Sequence, residues 1–225
     1  MLDYPDYVTQ EINNMRHYVN DECKKYPSIT TMLGATVSDD KIEILSNWQK
    51  SMGIDAANEY TNLACDRGTA VHKLIELFLS NETIDESLYD SNHIKVFKSL
   101  KIPLRKINNL YGLEVALYSD NLKIAGRTDC IGYYEDVLSV IDFKTTSRSK
   151  NDSEIYDYWL QITFYAICHN ELYGTDINCG VVLMGNEKGV PATWVKKDLT
   201  PYIEPLIERV FQFYKKYEIL QNGKQ

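Results

Sequence analysis

Paired cysteines, long apolar runs and an excess of basic charge are all missing from this 225-residue sequence. The five cysteines, Cys23, Cys65, Cys130, Cys168 and Cys179, are odd in number and contain no C-x-x-C pair. That argues against a disulfide framework, a zinc knuckle or a clustered iron–sulfur site, and leaves buried free thiols as the expectation. No window approaches the ~20 apolar residues of a membrane span, so no membrane partner is expected. The start, MLDYPDYVTQEI, is neither an apolar signal segment nor an arginine-rich transit peptide. The expected location is therefore the cytoplasm. Lysine and arginine number 24 against 32 aspartate and glutamate, a net charge of -8. Such a balance argues against an indiscriminate polyanion binder but permits a local basic groove on an acidic body. Low-complexity tracts, repeats and long linkers are absent too, which makes residues 1–225 one expected domain.

What is there reads as helices followed by a sheet. The first hundred residues look helical: Ser38-Asp39-Asp40 caps a segment to Lys50, Asp55 opens another that reaches Leu79, and a third runs from about Asp90 to Lys101. Pro103 should end the third. From Leu110 the period changes to two, and GLEVALYS, KIAGRTDCIGYY and VLSVIDFK predict an antiparallel meander. Helical spacing returns from about Ile155 to Tyr173 and stops at Gly174; CGVVLMG and ATWVKK then read as strands, with a closing helix after Pro201. The expected class is α/β (α+β), with a helical part at about 28–107 and a sheet-bearing core at about 108–220.

Two of the meander strands carry an aspartate where a β-branched or aromatic residue would fit better. If Glu135-Asp136 is the turn, Tyr134 faces Val137, and counting outward sets Asp129 opposite Asp142 with Lys144 on the same face. Carboxylates about 4.5–5.5 Å apart at Cβ repel by about 3–4 kcal/mol at an effective dielectric near 20. A divalent cation such as Mg²⁺, which takes oxygen ligands, reverses that sign, and a neighbouring lysine offsets charge on a phosphate. The rival reading is a solvent-facing strand edge whose carboxylates pair with Lys144 and Arg127.

Other residues are candidates for the same site. His72 and Glu76 fall four apart on one helical face and can ligate or orient a metal, although a single helical histidine is more often a packing residue. Glu114 interrupts the first meander strand as the aspartates interrupt the other two; a solvated strand face explains it equally well. Gln161 and Tyr165, also four apart, border the apolar face of Ile162, Phe164 and Ile167, where Tyr165 alone would read as core. Lys95, Lys98, Lys101 and Arg105 fall within about 120° of a helical wheel, opposite Val96, Phe97 and Leu100. They could track a phosphate backbone, or simply form the wet face of an amphipathic helix.

GTAVH, GRTD, IDFKT and QITFY, in this order and spacing, resemble the RecB-type branch of the PD-(D/E)XK nuclease superfamily. With SITTML at Ser28 and CGVVLM after the Gln161 helix, the likeness extends over residues 27–215 to the group of mitochondrial genome-maintenance exonucleases and their phage and bacterial relatives. The resemblance implies a restriction-endonuclease-like core, a mixed central sheet flanked by helices. It implies Mg²⁺ or Mn²⁺ held by His72, Asp129, Asp142 and the main-chain carbonyl of Phe143, with Lys144 catalytic and Gln161 and Tyr165 orienting substrate; Arg127 and Thr145 are further candidates for DNA contact. The implied activity is a metal-dependent exonuclease on single-stranded DNA with free ends, threaded near a helical arch and working with replication or recombination proteins. An endonuclease on the same fold and a catalytically silent DNA-binding module are the alternatives. Thr128 stands where the superfamily name has proline. The cysteine cluster of iron–sulfur relatives is missing, so no such cluster is expected, and the absent mitochondrial address favours a bacterial or phage-infected cell.

Overall fold

The structure is a computed structural model describing residues 2–4, 6–20 and 24–222. Its centre is a five-stranded mixed sheet of β4 (Ile107–Ser119), β5 (Ile124–Tyr134), β6 (Val137–Thr146), β7 (Cys179–Asn186) and β8 (Ala192–Lys196), paired in that order. The β5–β6 hairpin turns on Glu135 and Asp136, whose φ values of 47° and 65° are the two positive angles that a tight hairpin turn demands. Tyr134 pairs with Val137 as the turn predicts, and the ladder continues to Cys130 and Ile141. Strand β6 then runs parallel to β7, a pairing that requires a crossover. Helix α5 (Tyr156–Tyr173) supplies it, and Gly174 ends that helix in the left-handed conformation, φ 64°.

Alternation along the strands divides the core into two layers. Ile131, Val140, Val182 and Met184 point to one face, covered by α1 (Ile29–Ala35), α5 and α6 (Ile203–Asn222). Cys130, Ile141, Phe143, Val181 and Leu183 point to the other, covered by α3 (Ile54–Leu79) and α4 (Ser91–Leu104). Helix α2 (Asp39–Met52) packs beside α3 and buries none of its residues.

Three expectations need correction. Residues before 28 are not helical: β1 (Val8–Ile12), β2 (Met15–Val19) and β3 (Lys25–Pro27) form a separate antiparallel sheet. Its first turn, Asn13-Asn14, has φ of 52° and 59°, the left-handed conformation that asparagine tolerates. Pro103 does not end α4, which runs to Leu104; in the last turn a proline forfeits little, and Arg105 N–H still reaches the Lys101 carbonyl at 3.2 Å. Cys65 is exposed, whereas Cys130, Cys168 and Cys179 are buried free thiols; Cys23 lies outside the described residues.

Candidate metal and active site

The β5–β6 ladder stops one residue short of the two aspartates, and the strands part there. In place of the next ladder bond, the Phe143 N–H donates to Asp129 Oδ2 at 2.7 Å. The adjacent Phe143 carbonyl accepts from His72 Nε2 at 2.9 Å, which joins α3 to the fork. A carbonyl only accepts, so Nε2 carries a proton, and in the neutral ring Nδ1 presents its lone pair. That atom lies 3.5 Å from Asp129 and 4.0 Å from Glu114. His72, Glu114 and Asp129 each offer one ligand atom, all within 4.8 Å of one another.

Glu114 joins through an irregularity in β4. Leu113 pairs with Cys130 and Val115 with Thr128, so Glu114 sits between them, level with Asp129. Its φ is 50°, a left-handed conformation that costs a non-glycine residue about 1–2 kcal/mol. The Arg127 guanidinium donates to the Glu114 carbonyl and holds the kink. Strand alternation alone did not reveal this turn. Burial, and then the Asp129 charge, push the Glu114 carboxyl up to about 7, with His72 and Arg127 opposing.

Asp142 and Lys144 form the inner half of the site. The lysine Nζ lies 2.6 Å from Asp142, which is 2% exposed. Burial raises the Asp142 carboxyl to about 6 despite that ammonium, and Asp129 adds to the shift. For Lys144 burial acts downward, but Asp142 and Asp129 outweigh it and its pKa rises. The two aspartates are therefore not a bare repelling pair: one faces the imidazole and the other the ammonium. Lys144 Nζ also lies 5.0 Å over the Tyr158 ring, as does Lys150.

The donor set fits a hard or borderline divalent cation. It combines carboxylates with one imidazole lone pair, whose tautomer is fixed by a backbone carbonyl. The buried Asp142 Oδ2 has no aligned hydrogen-bond donor, although the lysine ammonium is close. A cation would complete it. The Phe143 carbonyl already accepts from His72, so a metal there would use its second lone pair.

Other expected residues are distributed unevenly. Tyr165 is 1% exposed; its hydroxyl donates to the Arg127 carbonyl at 2.7 Å, and Gln161 donates to that hydroxyl at 3.2 Å. Close packing sets this role, because even a methyl group at Gly126 would meet the Tyr165 ring. Tyr165 therefore braces β5. Glu76 pairs with Lys73 at 2.9 Å and borders the groove. Thr145 accepts from Arg67 Nε at 3.4 Å, and Arg67 is otherwise paired with Glu187. The basic stripe on α4 stays outside: Lys98 pairs with Glu86 at 2.6 Å, Lys101 covers Phe97, and Lys95 lines another hollow beside Tyr89. Its apolar side packs on α3 and β7, leaving the lysines and exposed Arg105 as a solvated helix face.

A groove of about 710 Å³ exposes His72 and Glu114 between Arg16, Lys73 and Arg127. Arg16 went unrecognised in the sequence because it arrives on β2. Its one available signal was the Asn13-Asn14 turn followed by alternation through Met15, His17 and Val19.

Residues 93–190 match the PD-(D/E)XK nuclease superfamily model, a span that contains Glu114, Asp129, Asp142, Lys144, Gln161 and Tyr165 but not His72. The chain is 30% identical over 177 residues to mitochondrial genome maintenance exonuclease 1 of Homo sapiens, covering 74% of this chain and 51% of that protein. To the Xenopus tropicalis protein of the same name it is 29% identical over 176 residues, covering 74% and 50%. It thus spans about half the length of these curated relatives. A crystal structure from Eubacterium rectale, of a protein assigned as an exonuclease, superimposes with a TM-score of 0.51 at 11% identity, over 72% of this chain and 68% of that one. That likeness shows a shared fold. Forked strands carrying a carboxylate apiece, a lysine two residues past the last one, and the family match across them identify residues 93–190 as PD-(D/E)XK nuclease superfamily sequence.

Proposed function

We propose that this chain is a Mg²⁺- or Mn²⁺-dependent deoxyribonuclease, acting as an exonuclease on single-stranded DNA with free ends. The observation that carries the reading is the convergence of His72, Glu114 and Asp129 on one groove, with the Asp142–Lys144 pair directly behind them. His72, Asp129, Asp142 and Glu114 would hold the cation, which when bound supplies positive charge to the phosphate and makes a water easier to deprotonate. Lys144 keeps its proton at Nζ through Asp142, and so presents a fixed ammonium to the reacting phosphate. Asp129 and His72 hold the Phe143 peptide from both sides, which fixes where Lys144 emerges. Arg16, Lys73 and Arg127 supply the local positive lining that the net charge of -8 leaves possible. Hydrolysis adds a water oxygen to phosphorus, breaks one ester P–O bond and returns a proton to the leaving oxygen.

The exonuclease reading leans on the names of the curated relatives and on α2 with the first half of α3. There Trp48 and Tyr60 pack edge to face in an exposed apolar surface, and the Tyr60 hydroxyl meets Ser147 at 2.6 Å, just past β6. A single strand has bases free to stack on such rings. The test is digestion of end-labelled linear and covalently closed circular single strands, with and without chelator. Metal-dependent loss of linear strands with circles spared supports the proposal. Rapid nicking of circles replaces exonuclease with endonuclease, and cleavage in chelator removes the metal from the mechanism.

A further inference from the structure

A second recess lies across β2 from the groove. Successive strand residues point to opposite faces, and Arg16 lines the groove while His17 lines a recess of about 310 Å³ between the N-terminal sheet and α6. Its walls are aromatic: Tyr26 from β3, and Phe213, Tyr214 and Tyr217 from α6. Two of these rings are tied in place, since the Tyr26 hydroxyl donates to Asp120 and the Tyr214 hydroxyl to the Lys123 carbonyl. Phe213 and Tyr217 are near-parallel, 17° between planes with centroids 6.1 Å apart.

His17 is 6% exposed and supplies the polar element. Its Nδ1 lies 2.9 Å from the Met15 carbonyl and must donate there. With Nδ1 donating, Nε2 is the ring's acceptor, and His17 brings it to the recess it lines. Lys25 and Lys123, both exposed, stand at the mouth.

We propose that this recess binds one nucleotide unit, its base between the tyrosines with an N–H donated to His17 Nε2, and its phosphate toward Lys25 and Lys123. Every base has a π-face for such walls, and all four carry an N–H donor. The volume falls at the lower end of small-ligand sites, which suits one base and excludes a duplex. Preferring a nucleotide to another aromatic anion rests on the nuclease reading above. The unit has two possible sources, a strand continuing from the groove around β2 or a free nucleoside monophosphate.

Binding is measured in chelator, where no cleavage intervenes, by tyrosine fluorescence and amide NMR with dCMP and with oligodeoxycytidylates of increasing length. Tyr217→Ala and Lys123→Glu alter partly or fully exposed side chains and should keep the wild-type melting temperature; His17→Gln is the third variant. Saturable shifts at recess residues, weakened at least fivefold in Tyr217→Ala and Lys123→Glu, are expected. If dCMP binds as tightly as any oligomer, the free nucleotide is the ligand. If affinity climbs with length and the variants abolish the climb, the ligand is the strand. Absence of shifts at the recess with every probe, or variants that bind like wild type, would overturn the proposal. Nucleotide binding by a protein that cleaves nothing in Mg²⁺ or Mn²⁺ would instead overturn the nuclease reading and leave the recess standing.

Discussion

Helix α5 buries nine of its 18 residues, among them Trp159, Leu160 and Phe164, whereas α2, with Ile42, Ile44, Leu45, Trp48 and Met52 along it, buries none of its 14. Both sequences are rich enough in apolar residues to promise a packed helix. Topology separates them. Helix α5 is the crossover between the parallel strands β6 and β7, so the connection lays it against the sheet. Helix α2 connects α1 to α3 and finds no sheet face to cover. The difference also sorts function: α5 braces the site from behind through Tyr165 and Tyr158, while α2 offers apolar surface to whatever comes from outside.

The sharpest way to break this division is to attack the fork between the two regions. Lys144→Ala and Asp129→Ala should each lower single-strand cleavage by at least about 10³-fold, the scale of losing a preorganised charge at a reacting phosphate. Circular dichroism should show the fold retained. Cleavage within tenfold of wild type in purified Lys144→Ala would remove the lysine from the chemistry and turn the fork into a structural ion pair.

The helices themselves come next. Trp159→Ala opens a cavity at a 1% exposed position and should cost about 3–5 kcal/mol, against less than about 1 kcal/mol for Leu45→Ala, which is 53% exposed. Urea unfolding at constant m-value measures both. Equal losses would mean that α2 is covered in solution, by a second copy or by another part of the protein.

This contrast also marks how far the sequence could be read. Hairpin β5–β6 was legible because its turn, its length and its alternation specify one register, and the observed ladder follows it as far as Cys130 and Ile141, one residue short of Asp129 and Asp142. The parting of the strands after Cys130 and Ile141 was not legible, because it depends on Asp129 taking the Phe143 N–H, a tertiary bond. Glu114 was half legible: its carboxylate broke the strand pattern, but the positive φ that aims it has no sequence signature at a glutamate. The α4 lysines are the reverse case, a legible helical stripe that lines no part of the groove exposing His72 and Glu114. Arg16 was invisible since it enters on a sheet that the first hundred residues, read as helical, did not contain.

Acid should affect the apo protein in an unusual direction. Glu114 is raised to about 7 and Asp142 to about 6, both above the usual carboxylate range, so between about pH 4.5 and 7 the folded state holds more protons than the unfolded chain. Stability from these groups is fully present below that window and lost as pH rises through the folded values. In chelator the protein should therefore gain on the order of 1 kcal/mol between pH 7.5 and 5, once solvent screening at Glu114 is allowed for. Mn²⁺ should reverse the trend by binding the ionised site, and wild-type stabilisation by metal should shrink as pH falls. Thermal melts at matched ionic strength decide it. An apo melting temperature that only falls on acidification would show that other carboxylates dominate.

Tyr165→Phe probes the brace with a smaller change. It removes the hydroxyl that satisfies the Arg127 carbonyl, at an expected cost of about 1–2 kcal/mol in stability. As a positioning residue Tyr165 should leave the pH profile of cleavage in place and lower kcat more than it raises KM. A changed pH profile would return it to the chemistry.

A small stability effect is also expected at the residue with the most crowded charges. Asp142→Asn removes a buried carboxylate that desolvation and Asp129 both oppose, which is stabilising, but it also deprives the Lys144 ammonium of its counter-charge at 2.6 Å. The two changes have opposite sign, and breaking one side of a buried pair is costly only to the extent that the other stays buried. Lys144 has 20% of its side chain exposed and retains Asp129 nearby, so the ammonium keeps some compensation. The apo mutant should melt within about 1 kcal/mol of wild type near neutral pH while losing both cleavage and most of its response to Mn²⁺. Melts in chelator and in Mn²⁺ separate the outcomes. A loss above about 3 kcal/mol in chelator would make Asp142 a structural partner of Lys144 first, and the fork would then owe its carboxylates to folding as much as to metal.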